Sequence, residues 1–315
     1  MSDIPKATHL YGIHDPGAEH LMTDAGIQGW VVFSHALANA AGRCEYATRA
    51  TGNVRPGCDY TEVAPHVPIA RLNWGYYPQG TIPEEDRWSD MAVKCWDWVQ
   101  TSEGCHHWIL ANEANHPQEW PNGRPITASQ YARCYALCRR FIRAATGHGH
   151  DQVLVAAIAP WNDACGDWVR YFAEVLSLVG NECDGFALHT YTHGHDPNLI
   201  YSEATMGPPY QDRHYNFMAY RDFLAVVPQH LRHLPVYITE TDPDMPWKDE
   251  NNGWVQNAYG DINWWNEQEG TQKIQALCLY RWDNYDQWAF CNKQGIQADF
   301  REAMRRGYLS PGCAT

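Results

Sequence analysis

The stretch HHWILANE, residues 106–113, joins a short apolar run to an amide and a carboxylate. Ile109 and Leu110 are typical of a buried strand, whereas Asn112 and Glu113 stand at its end. A carboxylate is costly to bury unless a cation, hydrogen bonds or a proton compensate it. The position of Glu113 therefore indicates a functional group that other parts of the fold must support.

The same order, an apolar run followed by polar or aromatic residues, recurs along the chain. The eight predicted strands are HLYGIHD (9–15), GWVVFSH (29–35), HVPIARLNW (66–74), HHWILANE (106–113), QVLVAAIAP (152–160), DGFALHTY (184–191), LPVYITETD (234–242) and ALCLYRWDN (276–284). Apolar residues at three- and four-residue spacing predict helices at 127–146, 167–179, 215–231 and 254–268. Strands that alternate with helices indicate a parallel sheet, and eight such units close a barrel.

The predicted fold class is α/β, a single (β/α)8 TIM barrel that occupies residues 1–315 as one domain. Between Ala36 and Val63 the chain has glycines, Pro56 and little helical periodicity, so the second βα unit is expected to be short or irregular. Long loops are expected after strand six (192–213) and strand seven (242–253).

Composition excludes several functions. Hydrophobic residues make up 44% of the chain, enough for a sizeable core, and the formal charge of −14 argues against nucleic acid or an anionic membrane as a partner. No apolar segment approaches the length of a membrane helix, and MSDIPKATHL does not resemble a signal peptide. A soluble protein is expected, either cytoplasmic or secreted after loss of a signal peptide. Its oligomeric state stays open.

The 11 cysteines include no CxxC pair, which disfavours zinc and thioredoxin-like sites. Cys134 and Cys138 share a helical face and are predicted to be small core residues. The HGHD stretch (193–196) is only a weak metal signal without a third ligand, so no metal and no cofactor are expected.

In a parallel barrel, functional residues gather at the C-terminal ends of the strands. The residues at those predicted ends are polar, aromatic or titratable: His14, Asp15, His35, Arg71, Asn73, Trp74, Asn112, Glu113, Trp161, His189, Tyr191, Glu240, Arg281 and Trp282. This concentration at one end of the strands predicts a ligand-binding cleft.

Glu113 and Glu240 stand out because each follows an apolar run with no lysine or arginine close by. Two carboxylates that face each other across a barrel mouth can cleave a glycosidic bond, one as acid and base and the other as nucleophile. The alternative is that each glutamate pairs with a structural arginine or caps a helix.

The motifs resemble those of the clan A retaining glycoside hydrolases, which include cellulases, mannanases, xylanases and β-glycosidases. The resemblance rests on ANE (111–113), LHTY (188–191), TE (239–240) and Trp282. It implies that Glu113 is the general acid and base, that Asn112 binds the sugar 2-hydroxyl, and that Glu240 is the nucleophile.

The same resemblance implies supporting roles. His189 would lie near the acid and base, Tyr191 would donate a hydrogen bond to the nucleophile, and Trp282 would form a platform for the sugar. Arg71 departs from the pattern, because the arginine of cellulase-like members follows the second strand and this one ends the third. Arg71 is expected to be a partner of Glu240, and the family within the clan stays open.

Other residues have two interpretations. His14 and His35 either line the floor of the cleft or are core histidines that hydrogen-bond to the backbone. Aromatic residues after strand ends either stack on sugar rings or fill the core: Trp74, Tyr76, Tyr77, Trp161 and Trp247.

The leading functional hypothesis is a retaining β-glycosidase or endo-glycanase that acts on a carbohydrate polymer or oligosaccharide. A catalytically silent carbohydrate-binding barrel is the main alternative. A metal-dependent hydrolase, suggested by the 16 histidines, is the third. The sugar, the linkage and the choice between endo and exo cleavage stay open.

Overall fold

The computed structural model describes residues 4–38 and 57–313. Its strands form a closed barrel in chain order, and the described strand pairs are parallel. The strands are β1 (Tyr11–His14), β2 (Trp30–Ala36), β3 (Val67–Asn73), β4 (His107–Leu110), β5 (Gln152–Val155), β6 (Phe186–His189), β7 (Val236–Thr241) and β8 (Ile274–Leu279). The predicted (β/α)8 barrel is confirmed. Strand β8 lies earlier than predicted, because it ends at Leu279 and not at residue 284.

Helices separate most of the strands. The α-helices of the described residues are α1 (Glu19–Asp24), α2 (Trp88–Gln100), α3 (Ala128–Arg143), α4 (Trp168–Val179), α5 (Ala219–Ala225), α6 (Trp254–Glu267) and α7 (Gln294–Met304). Helix α3 begins with a capping box between Thr127 and Gln130, which explains its sharp start. Helix α5 is shorter than the predicted 215–231 at both ends, and Pro228 limits its C-terminal end by disfavouring helical geometry in the residue before it. Measured against the length and apolarity needed to cross a bilayer, no helix in the described ranges qualifies.

Most of the predicted irregular second βα unit falls at residues 39–56, outside the described residues. Its described end is a 3₁₀ helix at Tyr60–Val63. The Asp59 side chain starts this helix by accepting a hydrogen bond from the backbone N–H of Thr61 at 2.9 Å.

The chain folds into two compact units. The first consists mainly of Phe33–Ala64 and Pro68–Phe186. In its core the Tyr131 hydroxyl donates to the Leu110 carbonyl at 2.9 Å and accepts from the Ala156 N–H at 2.7 Å, which ties helix α3 to the ends of β4 and β5. Cys134 and Cys138 are buried there, as predicted.

The second unit consists mainly of Lys6–Val32 and Ala187–Thr315. The Tyr259 hydroxyl of helix α6 donates to the Leu277 carbonyl at 2.8 Å and accepts from the Gly12 N–H at 3.2 Å. The hydroxyl of this buried tyrosine therefore holds α6 against both β1 and β8, and its polar group is satisfied.

His35, near the end of β2, packs into the first unit. It is 4% exposed, its Nε2 lies 2.7 Å from the Tyr60 hydroxyl, and its ring centroid lies 4.6 Å from that of Trp98. This environment favours the core interpretation of His35 over a position on the cleft floor. Burial lowers the pKa of the imidazole from 6.5 to about 3.

Because His35 is buried, we expect it to make the folded protein less stable as the pH falls. Below pH 6.5 the unfolded chain binds a proton that the folded imidazole cannot bind until about pH 3. The free energy of unfolding should therefore fall by about 1.4 kcal/mol per pH unit from this residue across that window. His35→Gln keeps an acceptor for Tyr60 but does not titrate.

The measurement is urea unfolding of both proteins between about pH 6.5 and pH 4.5. The stability advantage of the wild type over His35→Gln should shrink as the pH falls. The exposed His230 provides the control, since His230→Gln should follow the wild type at each pH. A constant gap between wild type and His35→Gln would contradict the prediction.

Candidate active site

The predicted site residues lie at or just beyond the C-terminal ends of the strands. His14 and His189 are the last residues of β1 and β6, and Glu240 is the last but one of β7. Asn73 ends β3, and Glu113 follows β4 by three residues. These positions are where parallel barrels carry their functional groups.

Glu240 is a buried carboxylate, only 6% exposed. The Tyr191 hydroxyl donates a hydrogen bond to its Oε2 at 2.9 Å. The Nε2 atoms of His14 and His189 each lie 3.6 Å from its Oε1. One hydroxyl and two imidazoles thus surround an acid that would be costly to bury alone. The contact between Tyr191 and Glu240 is the one that the sequence resemblance implies.

Asp15 and Arg281 support His14 from the far side of its ring. The His14 Nδ1 lies 3.1 Å from the Asp15 Oδ1, and the Arg281 guanidinium donates to the Asp15 Oδ2. Burial alone would raise the pKa of Asp15, but His14 and Arg281 outweigh it and hold the pKa well below its usual range. Asp15 therefore stays anionic and engages Nδ1 of His14, which directs Nε2 of the ring toward Glu240.

Asp242, two residues after Glu240, is 2% exposed. Burial raises its pKa well above the ordinary range, and the charges of Asp244 and Glu240 add to the effect. The hydrogen bond from the Asp244 N–H, at 2.6 Å, opposes it only in part. Asp242 therefore keeps its proton to a higher pH than an ordinary aspartate and adds less negative charge beside Glu240.

Arg71 orients the Asn112 amide. Its Nη1 donates to the Asn112 Oδ1 at 2.6 Å, and its Nε donates to the Ser34 hydroxyl at 3.0 Å. The Asn112 Nδ2 in turn donates to the Glu119 Oε1 at 3.0 Å. These bonds fix which side of the amide is the acceptor. The expected pairing of Arg71 with Glu240 stays a prediction.

Thr81 connects two of the predicted site residues. Its hydroxyl accepts from the Asn112 N–H at 2.6 Å and donates to the Asn73 Oδ1 at 3.1 Å. Thr81 is fully buried and Asn73 is 1% exposed. Asn73 therefore helps to hold the segment after β4 in place, through a threonine that sequence reasoning missed.

The backbone around Glu113 is strained. Ala111 has φ 72° and Glu113 has φ 35°, both in the left-handed region that residues other than glycine seldom adopt. The Glu113 N–H donates to the Ala157 carbonyl at 3.0 Å, and the His116 N–H donates to the Glu113 carbonyl at 2.7 Å. Surrounding structure thus maintains the strain, a condition found most often at functional sites.

Two of the predicted stacking residues are packed. Trp74 is 4% exposed and lies under the Arg87 guanidinium, 4.9 Å from its ring centroid. Trp247 is 3% exposed, and its Nε1 donates to the Tyr280 carbonyl at 2.6 Å. Burial favours the core interpretation for both.

Other aromatic residues keep accessible ring surface. Trp161 and Trp282 are half-buried, and Trp282 packs edge-on against Phe290 with 5.4 Å between ring centroids. Tyr76 and Tyr77, which follow β3, are 52% and 63% exposed. Accessible rings of this kind can stack on the C–H face of a sugar.

His193 and His195 lie against carbonyl oxygens. The His193 Nδ1 lies 2.6 Å from the Tyr215 carbonyl, and the His195 Nε2 lies 2.9 Å from the Pro246 carbonyl. Within residues 4–38 and 57–313, neither belongs to a group of three side chains that could hold a metal ion.

No protein-family model and no curated protein matches the chain. Solved structures match it in fold. The catalytic domain of a GH26 endo-β-1,4-mannanase from Bacillus sp. JAMB-750 gives a TM-score of 0.59 at 11% identity, covering 95% of this chain and 86% of that one. A GH128 (subgroup I) endo-β-1,3-glucanase from Amycolatopsis mediterranei, in complex with laminaritriose, gives 0.50 at 12% identity and covers 94% and 99%.

A structure from a study of two fungal β-1,4-galactanases gives a TM-score of 0.50 at 12% identity, covering 85% of this chain and 82% of that one. At such identities the likeness shows the fold. The chain shares its closed eight-stranded barrel fold with these structures.

Proposed function

We propose that the protein is a retaining glycoside hydrolase that cleaves β-glycosidic bonds in a polysaccharide or oligosaccharide. Glu240 is the nucleophile, and Glu113 is the general acid and base. The environment of Glu240 carries the proposal: a buried carboxylate at the end of β7 with the Tyr191 hydroxyl on one oxygen and two imidazoles near the other.

The reaction takes place in two steps. Glu240 attacks the anomeric carbon while Glu113 gives its proton to the leaving oxygen, which forms a covalent glycosyl-enzyme. Glu113 then takes a proton from water, and the water displaces Glu240 from the opposite face. Each displacement inverts the anomeric carbon, so the product keeps the β configuration.

The oriented Asn112 amide supports a further part of the proposal, which is the binding of the sugar 2-hydroxyl. Arg71 holds its oxygen, and Glu119 accepts from its nitrogen. An amide nitrogen has two N–H donors, and we assign the second to the sugar 2-hydroxyl. Hydrogen bonds at that hydroxyl strengthen in the transition state, where they lower the barrier.

The stereochemical course tests the proposal. The substrates named for the structural neighbours set the panel: β-1,3-glucan, β-1,4-mannan and β-1,4-galactan, with β-1,4-glucan and xylan added. We expect new reducing ends on at least one polymer, and NMR of the fresh product should show the β anomer before mutarotation. The α anomer first would mean inversion. No hydrolysis by folded protein would favour a carbohydrate-binding barrel.

Tyr191→Phe should both slow the enzyme and shift its pH profile. The hydroxyl stabilises the ionised form of Glu240, so its removal raises the pKa of the nucleophile. The acidic limb of kcat/KM should move to higher pH, and the maximum should fall about 10- to 100-fold, as for a lost hydrogen bond to a charged group.

The control is Tyr215→Phe, since Tyr215 is 40% exposed and its ring stacks on His193. That variant should keep the wild-type profile. An unchanged acidic limb in Tyr191→Phe would show that the hydroxyl does not set the charge of the nucleophile.

A further inference from the structure

A compact group of ligand-type side chains lies at the other end of the strands of the first unit. His106 immediately precedes β4, and Asp151 immediately precedes β5. His148 lies in the turn before β5, where the Asp151 N–H donates to the His148 carbonyl at 3.1 Å. This N-terminal end of the strands is opposite to the end that carries Glu113.

The three side chains converge on one point. The His106 Nδ1 lies 2.8 Å from the Asp151 Oδ1, and the His148 Nδ1 lies 2.7 Å from the Asp151 Oδ2. The three ligand atoms all lie within 4.8 Å of one another. No cysteine takes part, and no short sequence motif marks the group, because His106 and Asp151 are 45 positions apart.

The three side chains differ in their exposure to solvent. The side chains of Asp151 and His148 are 3% and 12% exposed, whereas that of His106 is 36% exposed. The Trp108 indole donates to the Asp151 Oδ2 at 2.6 Å and fixes the carboxylate. An ion from solvent can therefore approach past the His106 ring toward a rigid, anionic ligand.

We propose that His106, His148 and Asp151 bind one divalent transition-metal ion. Two imidazoles and one carboxylate are the ligands that zinc and its neighbours prefer, whereas calcium and magnesium favour oxygen ligands alone. Three protein ligands leave a fourth position for water. The Trp108 hydrogen bond orients the ligating carboxylate in the way that outer partners of metal ligands do.

The fit requires a small movement. Bonds of about 2.0 to 2.1 Å in tetrahedral geometry place ligand atoms about 3.3 Å apart. Asp151 would ligate through Oδ1, because its Oδ2 accepts from Trp108, and the 2.8 Å contact of Oδ1 with the His106 Nδ1 would open by about half an ångström. Each Nδ1 would exchange its hydrogen bond to the carboxylate for a bond to the metal. A neutral imidazole does this by keeping its proton on Nε2.

The ion would join the entry of β4 to the entry of β5. Residues at this end of a parallel barrel contribute to stability and not to chemistry. Metal binding should therefore raise the thermal stability of the folded chain without taking part in glycoside cleavage.

The test uses chelator-treated full-length protein and Zn²⁺. Calorimetric titration should show one equivalent bound with a Kd of about 1 μM or below, and a saturating excess should raise the Tm by about 3 °C or more. His106→Gln should bind Zn²⁺ at least 30-fold more weakly. His230→Gln, which removes an exposed histidine elsewhere, should retain it.

Co²⁺ gives a second measurement on the wild type that needs no variant. A four-coordinate site should give strong visible absorption that Zn²⁺ abolishes, whereas weak six-coordinate absorption would overturn the assignment. Failure of the wild type to bind one saturable equivalent, or wild-type affinity in folded His106→Gln, would overturn it as well.

Discussion

Glu240→Ala is expected to lose at least about 10⁴-fold in turnover of a natural polysaccharide, because the substitution removes the proposed nucleophile. The truncation also leaves space beneath the anomeric carbon for a small anion. With a substrate that carries a good leaving group, added azide should restore activity. Attack from that face inverts the centre once and yields the α-glycosyl azide, which NMR identifies.

The matched control is Glu250→Ala, which removes an exposed carboxylate from the loop after β7. It should keep wild-type turnover and form no glycosyl azide. A β-glycosyl azide from Glu240→Ala would show that Glu240 is the acid and base and not the nucleophile.

Glu113→Ala should fall about 10²- to 10⁴-fold on a natural polysaccharide, since the leaving oxygen is no longer protonated. An activated substrate needs no such proton, so Glu240 still forms the glycosyl-enzyme. That intermediate should accumulate, because no base activates water, and mass spectrometry should detect it on the intact protein. Azide should then release the β-glycosyl azide after two inversions.

Glu103→Ala, at an exposed site before β4, should behave as the wild type in each of these assays. Near-normal polysaccharide hydrolysis by both Glu113→Ala and Glu240→Ala would end the two-carboxylate mechanism. Each variant should be shown to be folded by circular dichroism before its kinetics are compared.

Much of the fold could be predicted because buried parallel strands have a plain sequence signature. The runs before Glu113 and Glu240 are apolar and short, and a carboxylate directly after such a run is unusual enough to be noticed. The eight strands and the barrel follow from repeating this pattern. The end of β8 was misplaced, because aromatic and charged residues after Leu279 continue the pattern without continuing the strand.

The interior of the site could not be predicted in the same way. Thr81 reaches Asn112 across 31 positions, so nothing local marks the contact. The left-handed backbone at Ala111 and Glu113 has no signature either, since neither residue is a glycine or asparagine. Trp247 is buried with its indole N–H donating to a carbonyl 33 residues away, whereas a strand-end aromatic in a cleft would have the same local sequence.

The ion pair between Asp15 and Arg281 joins positions 266 residues apart. A chain emerges from the ribosome with its N-terminal end first, so His14 and Asp15 are made long before Arg281, which together with His14 keeps Asp15 charged. Contacts of such wide separation are also slow to form, because a long loop must close before they give any stabilisation. The surroundings of Glu240 are therefore completed late in synthesis. A nascent chain that stops short of Arg281 would already contain both glutamates and still lack the support that orients His14 toward one of them.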